Sequence, residues 1–189
     1  EVALDDVERV VRLMKDIGVQ HVGIADTIGV GTARRAQAAI EILDRILAGE
    51  AAEKALTRWG RASRYAGSGD RAAVRDQVFD ALRCRRSFAA LGGAETGRGL
   101  ILGRARARDE DVAALFHGAP HGPLPPRLDE AGEQPQGWAR LDVPDWLGAA
   151  FQQSLGDDTV PILQALQSRA PVFLRVNLAR LSRDAAIRR

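Results

Sequence analysis

The 189-residue sequence has one cysteine, one methionine, one tyrosine and only two lysines, Lys15 and Lys54. With Cys84 as the single thiol, an intramolecular disulfide and a Cys-based zinc site are both excluded, and the disulfide-scaffold class goes with them. No apolar run reaches the roughly 18 to 20 residues needed to cross a bilayer, and the opening EVALDDVERVV lacks the basic and apolar regions of a secretion signal. These absences point to a cytoplasmic protein with no membrane partner. The chain starts with Glu1 rather than Met and stops at Arg188-Arg189 within a helical pattern, which reads as a fragment.

Composition is otherwise globular, with 46% hydrophobic and 28% charged residues. Scarce lysine means that the 27 basic residues are almost all arginine, a bias that GC-rich coding or function would produce equally. Clustering argues for function. Between Lys54 and Arg108 there are 13 basic and four acidic residues, whereas residues 120–160 carry two basic and seven acidic ones. Charge polarised in this way is the footprint of a module that meets a polyanion.

The chain opens with Val7, Val10, Val11, Met14 and Ile17 at helical spacing, stopped by Gly18. VQHVGIA then reads as a short strand, followed by the glycine-broken loop Asp26 to Thr32. From Arg34 the strand signals vanish. Successive apolar faces (Ala36, Ile40, Leu43, Leu47; then Ala55, Leu56, Trp59) predict helices, and a third starts behind Asp70 as N-cap and runs to Phe88. Leu91 to Gly99 is a glycine-rich break, with helices expected at Leu100–Ala107 and Asp109–Phe116. Residues 119–137 read as a long loop, and two more helices follow behind Pro144 and Asp158. At Pro171 the period changes: Val172, Leu174, Val176 and Leu178 alternate with polar or outward positions, predicting a strand, and Ser182 opens a helix. The fold class is therefore mainly α, a helical bundle behind a short helix-strand stub and before the first strand and helix of an α/β domain. The expected divisions are 1–33, 34–170 and 171–189.

Two family resemblances accompany this pattern. AIEILDRILAGEAAEKAL, SGDRAAVRDQVFDALRCRRSFAALGG and RAPVFLRVNLARLSRDAA, in that order, resemble the N-terminal part of Sun/Fmu-type rRNA cytosine-C5 methyltransferases. The resemblance implies a NusB-like RNA-binding helical domain over 34–170, and at 171–189 the start of the methyltransferase domain that uses S-adenosylmethionine. HVGIADTIGVGT, in residues 1–33, is similar to hydroxymethylglutaryl-CoA lyases, in which such a loop follows a barrel strand. The metal-binding H-x-H segment and Cys loop of those lyases are absent, so the resemblance implies no lyase chemistry here.

No catalytic, metal-binding or cofactor-binding residue is assigned. Cys84, between Arg83 and Arg85, reads as a small helix residue rather than a nucleophile, although adjacent guanidiniums would lower a thiol pKa. His117 and His121 are i, i+4, but Gly118 and Pro120 break the helix that a metal pair needs. Gly29-x-Gly31 and Gly92-Gly93 to Gly97-x-Gly99 read as turns rather than phosphate cradles. Trp59 and Trp146 are expected in the core, and only Trp138 at the surface. The candidate RNA-binding residues are Arg58, Arg61, Arg64, Arg71, Arg75, Arg83, Arg85 and Arg86, each suited to phosphates. The competing reading is a salt-bridged surface with Asp76 and Asp80. At the level of function, the alternatives to rRNA binding are a protein-interaction scaffold of NusB type that contacts an acidic partner or the catalytic domain, and a non-functional fragment fused to a hydroxymethylglutaryl-CoA lyase-like piece.

Overall fold

A computed structural model describes residues 4–18, 32–173 and 175–188. The chain divides into two units, Glu1–Val30 and Gly31–Arg189. In the first, α1 spans Leu4–Asp16 and ends where Gly18 takes φ 91° and donates to the Lys15 carbonyl. Val10, Met14 and Ile17, the apolar residues at helical spacing, are exposed. The expected strand and the glycine loop at 19–31 lie outside the described residues.

The second unit is helical, and among its described residues there is no strand. Its central helix, α2 (Ala33–Leu47), buries Ala36, Ala39, Ile40 and Leu43 on the stripe that the sequence marks, with Thr32 as N-cap and Gly49 (φ 100°) beyond its end. Packed against it are α3 (Ala52–Ala62), α4 (Ser68–Arg83) and α6 (Gly97–Ala107). The core collects Val74, Val78, Phe88, Leu100, Leu102 and Phe116 around the α2 stripe.

The single long helix expected from Asp70 to Phe88 is two helices. Cys84, at φ −107° and ψ 36°, separates α4 from α5 (Arg85–Gly92). The N-cap is Gly67, not Asp70. Asp70 is the third helical residue and reaches back to accept the Gly67 N–H at 3.0 Å, half of a capping box. The same carboxylate takes two hydrogen bonds, 2.9 and 2.7 Å, from the buried Arg35 guanidinium, which hold its pKa below the ordinary value. A buried cation at the start of α2 is thereby neutralised from α4.

The glycine-rich break between α5 and α6 is a packing device as well as a turn. Gly93, at φ 81°, caps α5. A Cβ on Gly103 would lie 1.9 Å from the Phe88 carbonyl oxygen, and one on Gly92 would lie 1.8 Å from that of Gly99. The two helices run antiparallel with their backbones in contact, one pair of close approaches per turn. Gly97 approaches the Ile40 carbonyl of α2 in the same way and donates its N–H to Asp44 at 2.7 Å.

The long loop after α7 (Val112–Leu115) is latched to this hairpin. Glu130, in a 3-10 turn at Leu128–Glu130, accepts from Arg98 at 2.6 and 2.9 Å and from the Arg127 N–H at 2.8 Å. Those bonds, the Arg98 pair foremost, pull the carboxyl pKa down to about 2 against the opposing effect of burial. Arg106 donates to the carbonyls of Leu91, Glu130 and Ala131. Asp80 of α4 is the other hub, accepting from Arg104 of α6 and from Arg108, the residue that caps its C-terminus.

Beyond the loop, α8 (Asp145–Leu155) and α9 (Thr159–Leu166) enclose a second small cluster of Leu141, Val143 and Leu163, flanked by Trp138, Leu147 and Phe151. The tryptophan expectations reverse here. Trp138 packs on this cluster, so close to Gly148 that a Cβ there would lie 2.2 Å from its ring, whereas Trp146 is 80% exposed. Trp59 is half-buried against the main core. Residues 171–173 and 175–177 form no strand, and Val172, Phe173 and Leu178 are exposed. An alternating sequence becomes a strand only beside another edge that takes up its backbone N–H and C=O groups, and no such edge is present among the described residues. Leu174 lies outside them. Ser182 caps α10 (Arg183–Ile187) as expected.

Four outcomes follow. Gly103→Ala forces a methyl into the Phe88 carbonyl and is expected to cost about 3 kcal/mol or more in urea melts. Gly69→Ala, with open space around it in the first turn of α4, is expected to change stability by less than about 1 kcal/mol. Because the folded-state pKa of Glu130 lies below its ordinary 4.5, the stabilisation it gives is complete above that pH and is lost as pH falls towards 2. Glu130→Gln should therefore flatten the acid limb of a stability profile measured between those pH values. Burial, with Asp142 and Asp80 nearby, pushes the Cys84 thiol up to about 11 despite its arginine neighbours. A thiol reagent at pH 7.5 is expected to leave the folded protein unlabelled and to label it quickly in denaturant.

Candidate nucleic-acid interface

The amphipathic pattern of α3 decides where its charges go. Ala55 is fully buried and Leu56 and Trp59 lean on the core, so Lys54, Arg58 and Arg61 fall on the outer side, along a groove that also includes Glu53 and Thr57. The turn after α3 is fixed by Ala66 donating to Ser63 and by the Arg71 guanidinium donating to the Ala66 carbonyl at 3.1 Å. This turn presents Tyr65, 55% exposed, beneath the Arg34 guanidinium, 3.5 Å from the ring centroid. Arg34 stands in the first turn of α2, where the positive end of the helix dipole disfavours a cation. Its contact with the aromatic face offsets part of that cost.

Between α2 and α3, closed on one side by the His121–Leu124 stretch of the long loop, lies a cleft of about 930 Å³. Its cationic lining is Arg34, Arg45, Arg58 and Arg98, and its aromatic lining is Trp59 and Tyr65. Glu41 is the one acidic side chain there, and it accepts from Gln37 at 3.0 Å. Arg98 is committed to Glu130 and to the Pro125 carbonyl, so it shapes the cleft more than it charges it. Arg45 has no ion-pair partner among the described residues.

The eight arginines singled out from sequence separate into groups. Arg61 and Arg64 are exposed and have no ion-pair partner among the described residues. Arg58 lies on the cleft, 3.0 Å from Glu50 but at an angle that makes no hydrogen bond. Arg71 is exposed and holds the Tyr65 turn. Arg75 lies 3.7 Å from Asp76, and Arg85 pairs with Glu95. Arg83 sits 3.6 Å from Asp80. Arg86 is bonded to Asp145 at 2.8 Å and to the Val143 carbonyl, which ties α5 to the start of α8. Of the eight, Arg58 lines the cleft, Arg61 shares the outer groove of α3 with it, Arg64 lies in the following turn between Ser63 and Tyr65, and Arg83 and Arg86 are directed into pairs within the fold. Sequence reasoning passed over Arg34, Arg45 and Tyr65, because the first two belong to the opening helix of the bundle and the third to a turn.

No group of three metal-capable side chains occurs among the described residues. His117 Nδ1 accepts the Ala119 N–H at 2.9 Å, as a turn contact. Gly92, Gly97, Gly99 and Gly103 face neighbouring backbone at less than van der Waals distance for a Cβ, so each serves close packing of the helices. The buried Cys84 thiol donates to the Gln167 carbonyl at 3.5 Å and faces no cavity of the interface.

No helix among the described residues is long and apolar enough to cross a membrane. No curated protein and no solved structure matches the chain. Residues 143–189, about a quarter of the sequence, match the family model described as Methyltr_RsmF/B-like, ferredoxin-like domain, and over that stretch the chain is similar to methyltransferases of this kind.

Proposed function

We propose that the helical bundle is the RNA-binding, NusB-like module of an S-adenosylmethionine-dependent 16S rRNA cytosine-C5 methyltransferase. On this reading it binds structured rRNA and leaves chemistry to a catalytic domain. The observation that carries the reading is the methyltransferase-type match at 143–189, directly after a bundle whose arginines gather beside one cleft. Arg61, Arg64 and Arg58 supply phosphate contacts, with Lys54 and Arg71 at the margins. Each adds to salt-dependent affinity without choosing sequence. The only thiol, buried and hard to ionise, is not the nucleophile that attack on a cytosine requires, and this separates recognition from chemistry.

The second reading, a docking surface for the catalytic part, is favoured at one place. Arg86 grips Val143 and Asp145, and Asp142 accepts from the N–H and hydroxyl of Ser87 at 2.8 Å each. These bonds join α5 to the beginning of the matched stretch. In this proposal the basic field is divided: the α3 side meets RNA, and the α5 end holds the next domain. The domain boundary then falls near residue 142 rather than at 171.

Filter binding to a 16S rRNA fragment tests the proposal. Retention is expected to fall steeply between about 50 and 200 mM salt, and the double variant Arg61→Gln/Arg64→Gln is expected to lower the salt slope by about one to two. Absence of retention at low salt, or retention indifferent to salt, would sink it.

A further inference from the structure

We propose that the cleft between α2 and α3 takes an unpaired segment of RNA, a base stacking on the Tyr65–Arg34 pair while Arg45 and Arg58 hold the adjoining phosphates. The inference rests on the RNA-binding reading and narrows its substrate class. Phosphate contacts alone need only an exposed basic face, which a duplex satisfies. This site is different, because it combines concavity, cationic walls and aromatic rings.

Tyr65 is more than half exposed although its ring already carries a guanidinium on one face, and the turn that presents it is braced by Arg71. An exposed aromatic fixed at the rim of a basic cleft offers a base a π-surface, and the Arg34 plane offers a second. Arg34 also stands where the helix dipole opposes it, at a local cost, and Asp70, the carboxylate whose field it shares, is hydrogen-bonded to Arg35 rather than to Arg34. A bound phosphate would relieve that cost. The cleft, about 930 Å³, is within the size of sites that enclose small ligands, and so accepts a splayed nucleotide or two rather than a helix of paired strands. The Gln37–Glu41 pair adds donors and acceptors that can meet a base edge.

The loop that closes the cleft is not free to drift. Pro123 and Leu124 belong to the segment held by the Arg98–Glu130 latch and the Pro125 carbonyl bond, so this part of the cleft wall is braced before any ligand arrives. A preformed stacking site loses less on binding than one that must order itself.

Fluorescence anisotropy with the full chain, using an unpaired eight-nucleotide oligoribonucleotide and a 16-base-pair RNA duplex at one salt concentration, tests the inference. The wild type is expected to prefer the unpaired probe. Tyr65→Ala is expected to weaken that probe by about 5- to 100-fold, the range for loss of one base–aromatic stack, with duplex affinity kept within about twofold. Tyr65→Phe, which keeps the ring, is expected to bind both probes like the wild type, and equal urea midpoints for the three proteins establish that folding is unchanged. Equal binding of both probes by the wild type would overturn the inference but leave salt-dependent RNA binding standing. So would equal loss on both probes, or no loss, in Tyr65→Ala. Failure to bind either probe at low salt would remove the RNA-binding reading and this inference together.

Discussion

The contact of the α5 and α6 backbones is the constraint from which the rest of the second unit follows. Helices carrying ordinary side chains keep their axes about 8 to 10 Å apart, and glycine at the crossing lets them come closer. Gly92, Gly99 and Gly103 supply that crossing, and Gly97 extends the close approach to α2. Once α6 is seated there, Arg98, Arg104 and Arg106 project from it, and Arg108 from its C-cap, at fixed positions. They collect Asp80 of α4, the carbonyls at the end of α5, and Glu130 of the long loop. One close-packed hairpin thereby orders a helix, a loop and a cleft wall.

Charge in this protein serves two separate ends. Around α6, arginine works as a structural cross-link: its planar fork meets carboxylates and several carbonyls at once, which lysine's point charge does less well. The near absence of lysine suits that use. On the outer side of α3 and in the turn after it, Arg61 and Arg64 are held at the surface with no ion-pair partner among the described residues, while Arg58 lies beside Glu50. The polarised charge of residues 54–108 is the sum of the two, and only the second part is available to a polyanion.

Residues 138–166 form a smaller body with its own apolar cluster, joined to the bundle through Arg86, Ser87 and the Cys84–Gln167 contact. Around it, Trp146, Ile162, Leu166, Val172 and Phe173 are exposed. The tie at α5 uses hydrogen bonds to backbone and carboxylate groups, so orientation there is set by directional contacts more than by buried area.

Much of the bundle was legible in the sequence because helix-period apolar stripes and caps are local signals. The α2 stripe, the glycine ends of α1 and α2, the Ser182 cap and the helices behind Pro144 and Asp158 all depend on residues within a few positions of one another. What failed was non-local. Asp70 looked like an N-cap until Arg35, 35 residues away, shared its carboxylate. The break at Cys84 had no glycine or proline to mark it. The glycines of 92–103 read as turns, although the Gly99-x-x-x-Gly103 spacing carried the packing signal. For the candidate site, arginine abundance was visible, but which arginines remain uncommitted was not. The sequence by itself determined a mainly helical, arginine-charged chain with a single unreactive-looking thiol, since composition and period need no partners. Only the tertiary structure decided that Arg83 and Arg86 are spent internally, that Trp138 packs while Trp146 is exposed, and that Arg34, Arg45 and Tyr65 meet at one cleft. Ion pairing, burial and concavity arise between elements, and no local window of sequence contains both halves of them.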